Sequence, residues 1–269
     1  MLGLLIPSYL IGLIRPIRLF LVLLLLVASS ALGEESLNKV GTAGGRPDDA
    51  IIIFDGTNTT MLAGPNGGPF NWALEDGTII VKPGEQQRQQ GLWTRLHFRD
   101  AQIHVEFSFP KSAVEGVSAA NSGLYLHGLF ELQIVDSFNN AMEPMNSTGS
   151  LYNFRPPLVD ATRDVDTWQT YDVIFIAPRR DEAGKPVKPG SITVLLNGVL
   201  VQHNTPFLEH QSIYTPLHFR TTPYAERIRD SLMKTECGPM QLQDHDHPVR
   251  FRNIWIRPLD DKAFVLETE

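Results

Sequence analysis

Between Ile51 and Arg257 the chain is a succession of short runs in which apolar and polar side chains alternate, each closed by Gly, Pro, Asn or Asp, and helical periodicity is nearly absent. A period of two with frequent turn signals predicts many short strands joined by tight connections, which is the pattern of an all-β sandwich or barrel built from antiparallel sheets. The runs are Ile51–Phe54, Thr78–Val81, Gly91–Thr94, Ala101–Phe109, Gly123–His127, Phe130–Asp136, Thr170–Ala177, Ser191–Leu196, Val199–Gln202, Leu217–Arg220, Met240–His245 and Val249–Arg257. Asn197-Gly198 between Leu196 and Val199 is the strongest hairpin signal. Only Tyr224–Met233 carries the spacing of a short helix.

The ends of the chain read differently. Residues 1–33 contain no acid, carry Arg15 and Arg18, run apolar from Leu19 to Val27 and reach small residues at Ala28–Ala31. This is the layout of a secretory signal peptide with a cut after Gly33 and export to the periplasm or medium. An uncleaved membrane anchor is the competing reading, although the apolar run after Arg18 is shorter than the roughly 20 residues a spanning helix needs. Residues 34–50 are polar and Gly-rich, as in a linker; 51–260 form the expected domain, and 261–269 a C-terminal tail.

Charge and cysteine content narrow the function. The formal net charge is −7, and removing Arg15 and Arg18 with the leader makes the remainder more acidic. Binding nucleic acid needs a basic face, so that partner class is excluded. Cys237 is the only cysteine, so no internal disulfide forms and the fold rests on an ordinary core.

The chemistry-bearing stretch is Asn121–Asp136, a hairpin with His127-Gly128 at its turn. Alternation places Asn121, Tyr125 and His127 on one face of its first strand and Glu131 and Gln133 on one face of its second. Asp136 has the opposite parity, and one β-bulge near Val135 would return it to the side of Glu131. Two carboxylates beside an amide suit acid/base work on a polar ligand. Equally, Glu131 and Gln133 suit the solvated face of a half-buried strand.

Further along, Gln241, Gln243 and His245 share a face by the same alternation, supplying amides and an imidazole suited to sugar hydroxyls. His245 and His247 are spaced for zinc, but no third ligand is signalled, so no metal is assigned and no cofactor is expected. Tyr125, Tyr152, Trp93 and Trp72 are candidate platforms for a sugar ring, while Trp168 and Trp255 suit the core. His97, His104, His203, His210 and His218 belong to no constellation. No G-x-S-x-G context supports a serine nucleophile. The stretch from Phe138 to Thr167 lacks strand pattern and far exceeds the ~12–15 residues usual for a structureless loop, so it is expected to wall the hairpin's polar face.

Glu131-x-Gln133-x-x-Asp136 is similar to the E-x-D-x-x-E strand of laminarinase-type glycoside hydrolases, with Gln133 in place of the middle acid. The shorter Asp136 widens the carboxyl gap by roughly 1 Å, against the ~5–5.5 Å that retaining displacement requires. A broader likeness runs from about Ile51 to Leu259. The segments NSGLYLHGLFELQIVDS, WQTYDVIFIAPRRDEAGK, ITVLLNGVLVQHN and GPMQLQDHDHPVRFRNIWIRPL, in that order, resemble the 3-keto-disaccharide hydrolase domain family. The resemblance implies a concanavalin-like jelly-roll sandwich of two antiparallel sheets, an exported protein, and a carbohydrate ligand on one sheet face.

It also implies a chemistry. A C3 ketone acidifies the C2 proton, so one base can expel the C1 oxygen by elimination, with water adding afterwards. On that pattern Glu131 is the base, Asp136 or His245 assists the leaving group, and Asn121, Tyr125, His127, Gln133, Tyr152, Gln241 and Gln243 line the substrate. His127 stands where the family often has Arg. A conventional laminarinase-like hydrolase and a binding-only lectin-like module remain open alternatives at this point.

Overall fold

The structure is a computed structural model that describes residues 45–81, 91–111, 120–138, 140–208 and 222–267. The chain divides into two units, Met1–Lys39 and Val40–Glu269. The expected leader, most of the expected linker, His210, His218 and the run Leu217–Arg220 lie outside the described residues. Among the described residues no helix is long and apolar enough to cross a membrane.

In chain order the strands are β1 (Ile51–Phe54), β2 (Leu62–Ala63), β3 (Ala73–Glu75), β4 (Thr78–Ile80), β5 (Leu92–Phe98), β6 (Ala101–Ser108), β7 (Asn121–Leu126) and β8 (Phe130–Val135). There follow β9 (Gln169–Ile176), β10 (Arg179–Arg180), β11 (Pro186–Lys188), β12 (Gly190–Leu196), β13 (Val199–Phe207), helix α1 (Pro223–Thr235), β14 (Gly238–Leu242), β15 (Arg250–Pro258) and β16 (Ala263–Val265). An eight-stranded sheet runs β13-β12-β9-β6-β15-β4-β3, with β1 also on β15. A six-stranded sheet runs β16-β5-β14-β7-β8, with β2 also on β5. Pairing within both is antiparallel, and the two sheets form a jelly-roll sandwich.

Alternation decides which side chains fill the space between the sheets. Ile103, Val105 and Phe107 of β6 and Tyr171, Val173 and Phe175 of β9 meet Leu96 and Phe98 of β5, Leu124 and Leu126 of β7, and Leu132 and Ile134 of β8 in one continuous core. Each such side chain contributes roughly 1.5–3 kcal/mol by leaving water. Trp72 also belongs here, its ring 6.3 Å from Phe251, and so is not a sugar platform.

The outer faces carry the remainder. On the six-stranded sheet, α1 lays Tyr224, Ala225, Ile228 and Leu232 against Ala63 and Trp93. Thr222 caps the helix by accepting from the Ala225 amide at 3.2 Å, Pro223 opens it, and Glu236 closes it in the left-handed region at φ 60°. On the eight-stranded sheet, Trp255 is buried but lies outside the main core. It stacks on His104 at 5.2 Å and 7°, the imidazole meeting Asp172 at 2.7 Å. Trp168 likewise serves the surface rather than the core, with the Arg252 guanidinium 3.9 Å above its ring. Residues expected as a tail supply β16, which pairs Ala263–Val265 with Phe98–Leu96.

The long connection after β8 is ordered against that strand. Ser150 O accepts from Gln133 N at 3.1 Å, Glu131 O accepts from Tyr152 N at 3.0 Å, and the Thr148 hydroxyl meets Val135 N at 2.8 Å. Unpaired groups on the outer edge of β8 are thereby satisfied by the chain that follows it.

Candidate active site

One row of side chains crosses the outer face of the six-stranded sheet. Register pairs Trp93 of β5 with Gln241 of β14, Gln241 with Tyr125 of β7, and Tyr125 with Glu131 of β8. The adjacent row contains Gln243, whose amide donates to Gly123 O at 2.9 Å, then Gly123 itself and its partner Gln133. Helix α1 covers the Trp93 end, where the Trp93 and Tyr224 rings meet edge-on at 6.2 Å and 78°. Glu131, Tyr125, Gln241 and Gln243 occupy the other end.

Glu131 is the electrostatic centre of this face. Its side chain lies over Gly123, where an added Cβ would stand 2.5 Å from Oε1, 3.1 Å from Cγ and 3.2 Å from Cδ. Burial pushes the carboxyl up to about 7, opposed by the hydrogen bond that the Tyr125 hydroxyl donates to it. Burial, with the nearby Glu131 charge, in turn raises the Tyr125 phenol well above its ordinary range. The same hydroxyl accepts from Gln243 Nε2 at 3.1 Å, so amide, phenol and carboxyl form a directed chain. Gln243 Oε1 is buried and accepts no hydrogen bond from any described residue. A carboxyl poised near neutrality can take a proton from a substrate and give it back.

Other expected residues are placed as follows. Gln241 stands between Trp93 and Tyr125, its side chain fitted over Gly91, where a Cβ would approach its Cδ to 2.8 Å. Asn121 begins β7 opposite Val135, on the parity of Tyr125. Tyr152 is held beside Glu131 by its backbone and lies within electrostatic reach of Tyr125. Gln133 has the same parity as Glu131, but its side-chain oxygen is engaged by the Ile134 amide at 2.9 Å. His245 follows β14 in the turn where Asp244 accepts from the Asp246 amide, and its ring stacks on His247 at 5.9 Å and 19°. Among the described residues no group of three or more His, Cys, Asp or Glu side chains is placed to hold a metal ion.

Two expectations are corrected. His127 leaves the polar face: both His127 (φ 54°) and Gly128 (φ 66°) are left-handed in the turn, which breaks the alternation. Its ring sits in the core against Phe98 and Phe175, with Nε2–H donating to Phe98 O at 2.7 Å, and burial depresses its pKa to about 3. The second correction concerns the bulge near Val135, which does not occur. Pairing with β7 is unbroken from Leu126–Phe130 to Asn121–Val135, so Asp136 follows the strand on the parity opposite to Glu131. Asn140 Nδ2 donates to its carboxylate at 3.1 Å and to its carbonyl at 2.9 Å. The two glycines beneath Gln241 and Glu131 carry a signal that alternation does not: Gly123 sits inside β7, where only space calls for glycine, and Gly91 directly precedes β5.

A jelly-roll sandwich with a buried acid, a phenol and two amides on one sheet face defines a class of carbohydrate-active enzyme. The comparisons agree. The profile of the 3-keto-alpha-glucoside-1,2-lyase-like domain matches residues 49–257, and the chain belongs to that family. A provisionally assigned glycosyl hydrolase from Parabacteroides distasonis is 33% identical over 80% of this chain and 85% of its own, with a TM-score of 0.65. A second such protein from that organism is 20% identical over 79% of this chain and 94% of its own, with a TM-score of 0.52, and shares the fold. No curated protein matches the sequence.

Proposed function

We propose that this protein hydrolyses 3-keto-glycosides, including 3-keto-disaccharides, by base-initiated elimination followed by hydration, after export directed by its N-terminal segment. The observation that carries the reading is Glu131, a buried carboxyl held near neutrality by its surroundings and touched by the Tyr125 hydroxyl. Glu131 removes the C2 proton, which the C3 ketone has made acidic. The C–H electrons form the C1–C2 double bond while the C1–O bond breaks. Glu131, now protonated, returns its proton to the departing oxygen. Water then adds at C1 and a proton at C2, and the balance is one glycosidic bond hydrolysed. Gln243 Oε1 is the acceptor for a sugar hydroxyl, and Gln241 and Tyr152 border the same ring.

Elimination needs one base, whereas double displacement needs two carboxylates at roughly 5–5.5 Å. The parity of Asp136 and its hold by Asn140 therefore favour elimination over laminarinase-like displacement. The test is turnover of a 3-keto-glucoside and its unoxidised parent in D2O, followed by NMR. The expected result is cleavage of the keto sugar alone, with deuterium entering at C2. Cleavage of the parent without deuterium at C2 overturns the reading in favour of displacement. Saturable binding of either sugar without turnover overturns it in favour of a lectin-like module.

A further inference from the structure

We infer that Gly123 is a positioning residue, kept side-chain-free so that the Glu131 carboxylate lies flat over the strand rather than standing out from it. This rests on the assignment of Glu131 as the base and extends it to the residue beneath.

Glycine at an interior strand position weakens the strand and so needs a cause. Gly123 lies in the middle of β7, paired on both sides, with β8 through Gln133 and with the Gln243 amide. Its φ is not in the left-handed region, so the backbone does not ask for glycine. What asks for it is space: the three nearest atoms to a Cβ there are Oε1, Cγ and Cδ of Glu131, at 2.5, 3.1 and 3.2 Å. All three are side-chain atoms of one residue. A methyl group at 123 is therefore accommodated by moving the carboxylate and not by moving the sheet.

Two other glycines behave differently. A Cβ at Gly91 would stand 2.4 Å from Leu242 O, and one at Gly190 would stand 2.4 Å from Ile176 O; both would press on main chain. Gly123 differs in that its substitution spares the fold and strikes one acid. Lifting that carboxylate toward solvent undoes the burial that holds it near neutrality, and it alters the approach of the Tyr125 hydroxyl.

The experiment compares wild type, Gly123→Ala, Glu131→Gln and the double variant Gly123→Ala/Glu131→Asp. It measures kcat and KM on a 3-keto-glucoside across pH, thermal melting, and titration of the Glu131 carboxyl by 13C NMR, with Glu131→Gln identifying the resonance. For Gly123→Ala we expect a melting temperature within a few degrees of wild type and kcat at least tenfold lower with KM changed less. The carboxyl titration should move down from about 7 toward the ordinary 4.5. Shortening the acid should make room for the methyl group, so the double variant should recover part of the lost kcat.

If Gly123→Ala keeps wild-type kcat and an unmoved titration while Glu131→Gln is inactive, the positioning role is overturned and the base assignment stands. If Glu131→Gln is fully active, the base assignment fails; the NMR titration of Gly123→Ala still decides whether residue 123 sets the carboxylate's position. Should Gly123→Ala not fold, the double variant decides: folding with partial activity supports the inference, and failure to fold overturns it, because the shortened acid removes the 2.5 Å clash between the methyl group and Oε1.

Discussion

Replacing Glu131 with Gln should silence the protein and stabilise it, and the stabilisation should depend on pH. Burial raises the folded-state carboxyl to about 7 from an ordinary 4.5, so the unfolded chain ionises first. Across that window the native state holds more protons than the unfolded state, and wild-type stability falls as pH rises from about 4.5, levelling off above about 7. At 1.36 kcal/mol per pH unit of displacement the full cost is about 3 kcal/mol. Glutamine has no proton to lose, so its variant lacks this slope while its amide oxygen can still accept from Tyr125. The gain from the substitution should be small at pH 4 and about 3 kcal/mol at pH 8. For a domain of this size each kcal/mol is worth roughly 2–4 °C, which puts the increase at about 6–12 °C. Scanning calorimetry of both proteins from pH 4 to 8 at fixed ionic strength reads the difference directly. A melting-temperature difference that does not change with pH would refute the claim that a desolvated Glu131 carboxyl is the origin of the effect.

Tyr125→Phe removes the hydrogen bond that opposes the upward shift of Glu131, so the acidic limb of the kcat/KM profile should move to higher pH and turnover should fall by roughly tenfold or more. On the opposite sheet, burial disfavours protonation of His104, but hydrogen bonds with Asp172 and Glu106 outweigh it and raise the pKa to about 9. Its contribution should be present below about pH 6.5 and lost as pH rises through about 9. Denaturant melts should therefore show His104→Asn losing about 1–2 kcal/mol at pH 6, after allowance for screening at half-exposed Asp172, and little at pH 10. Ile228→Ala opens a cavity between α1 and the sheet at a fully buried position and should cost about 2–4 kcal/mol by urea unfolding. His127→Asn should lower stability by about 1–3 kcal/mol, because it empties an aromatic slot, yet leave kcat/KM within a few-fold of wild type.

Most of the fold was legible because period-two alternation reports which face of a strand is buried, and turn residues report where it stops. Alternation grouped Tyr125 with Asn121, Glu131 with Gln133 and Gln241 with Gln243, and three strands in register, β14, β7 and β8, bring these sets to one face. It failed where register was interrupted or wrongly assumed to be. At His127 two left-handed residues turned an outward side chain inward, and at Val135 an expected irregularity was missing, which left Asp136 on the other parity. What long-range packing alone decides was not legible: β16 joining the sheet from the presumed tail, α1 covering Trp93, and the space above Gly123 that belongs to Glu131.

The seal along β8 has a consequence for how copies of this protein behave toward one another. β8 is terminal in the six-stranded sheet, yet Ser150, Tyr152 and Thr148 bond to its main chain on the side away from β7. A bare terminal strand is a template on which a neighbouring molecule can add a strand of its own, the first step in edge-to-edge aggregation. Here the strand bearing Glu131 offers no such template, and the margin beside the site is already closed to other chains.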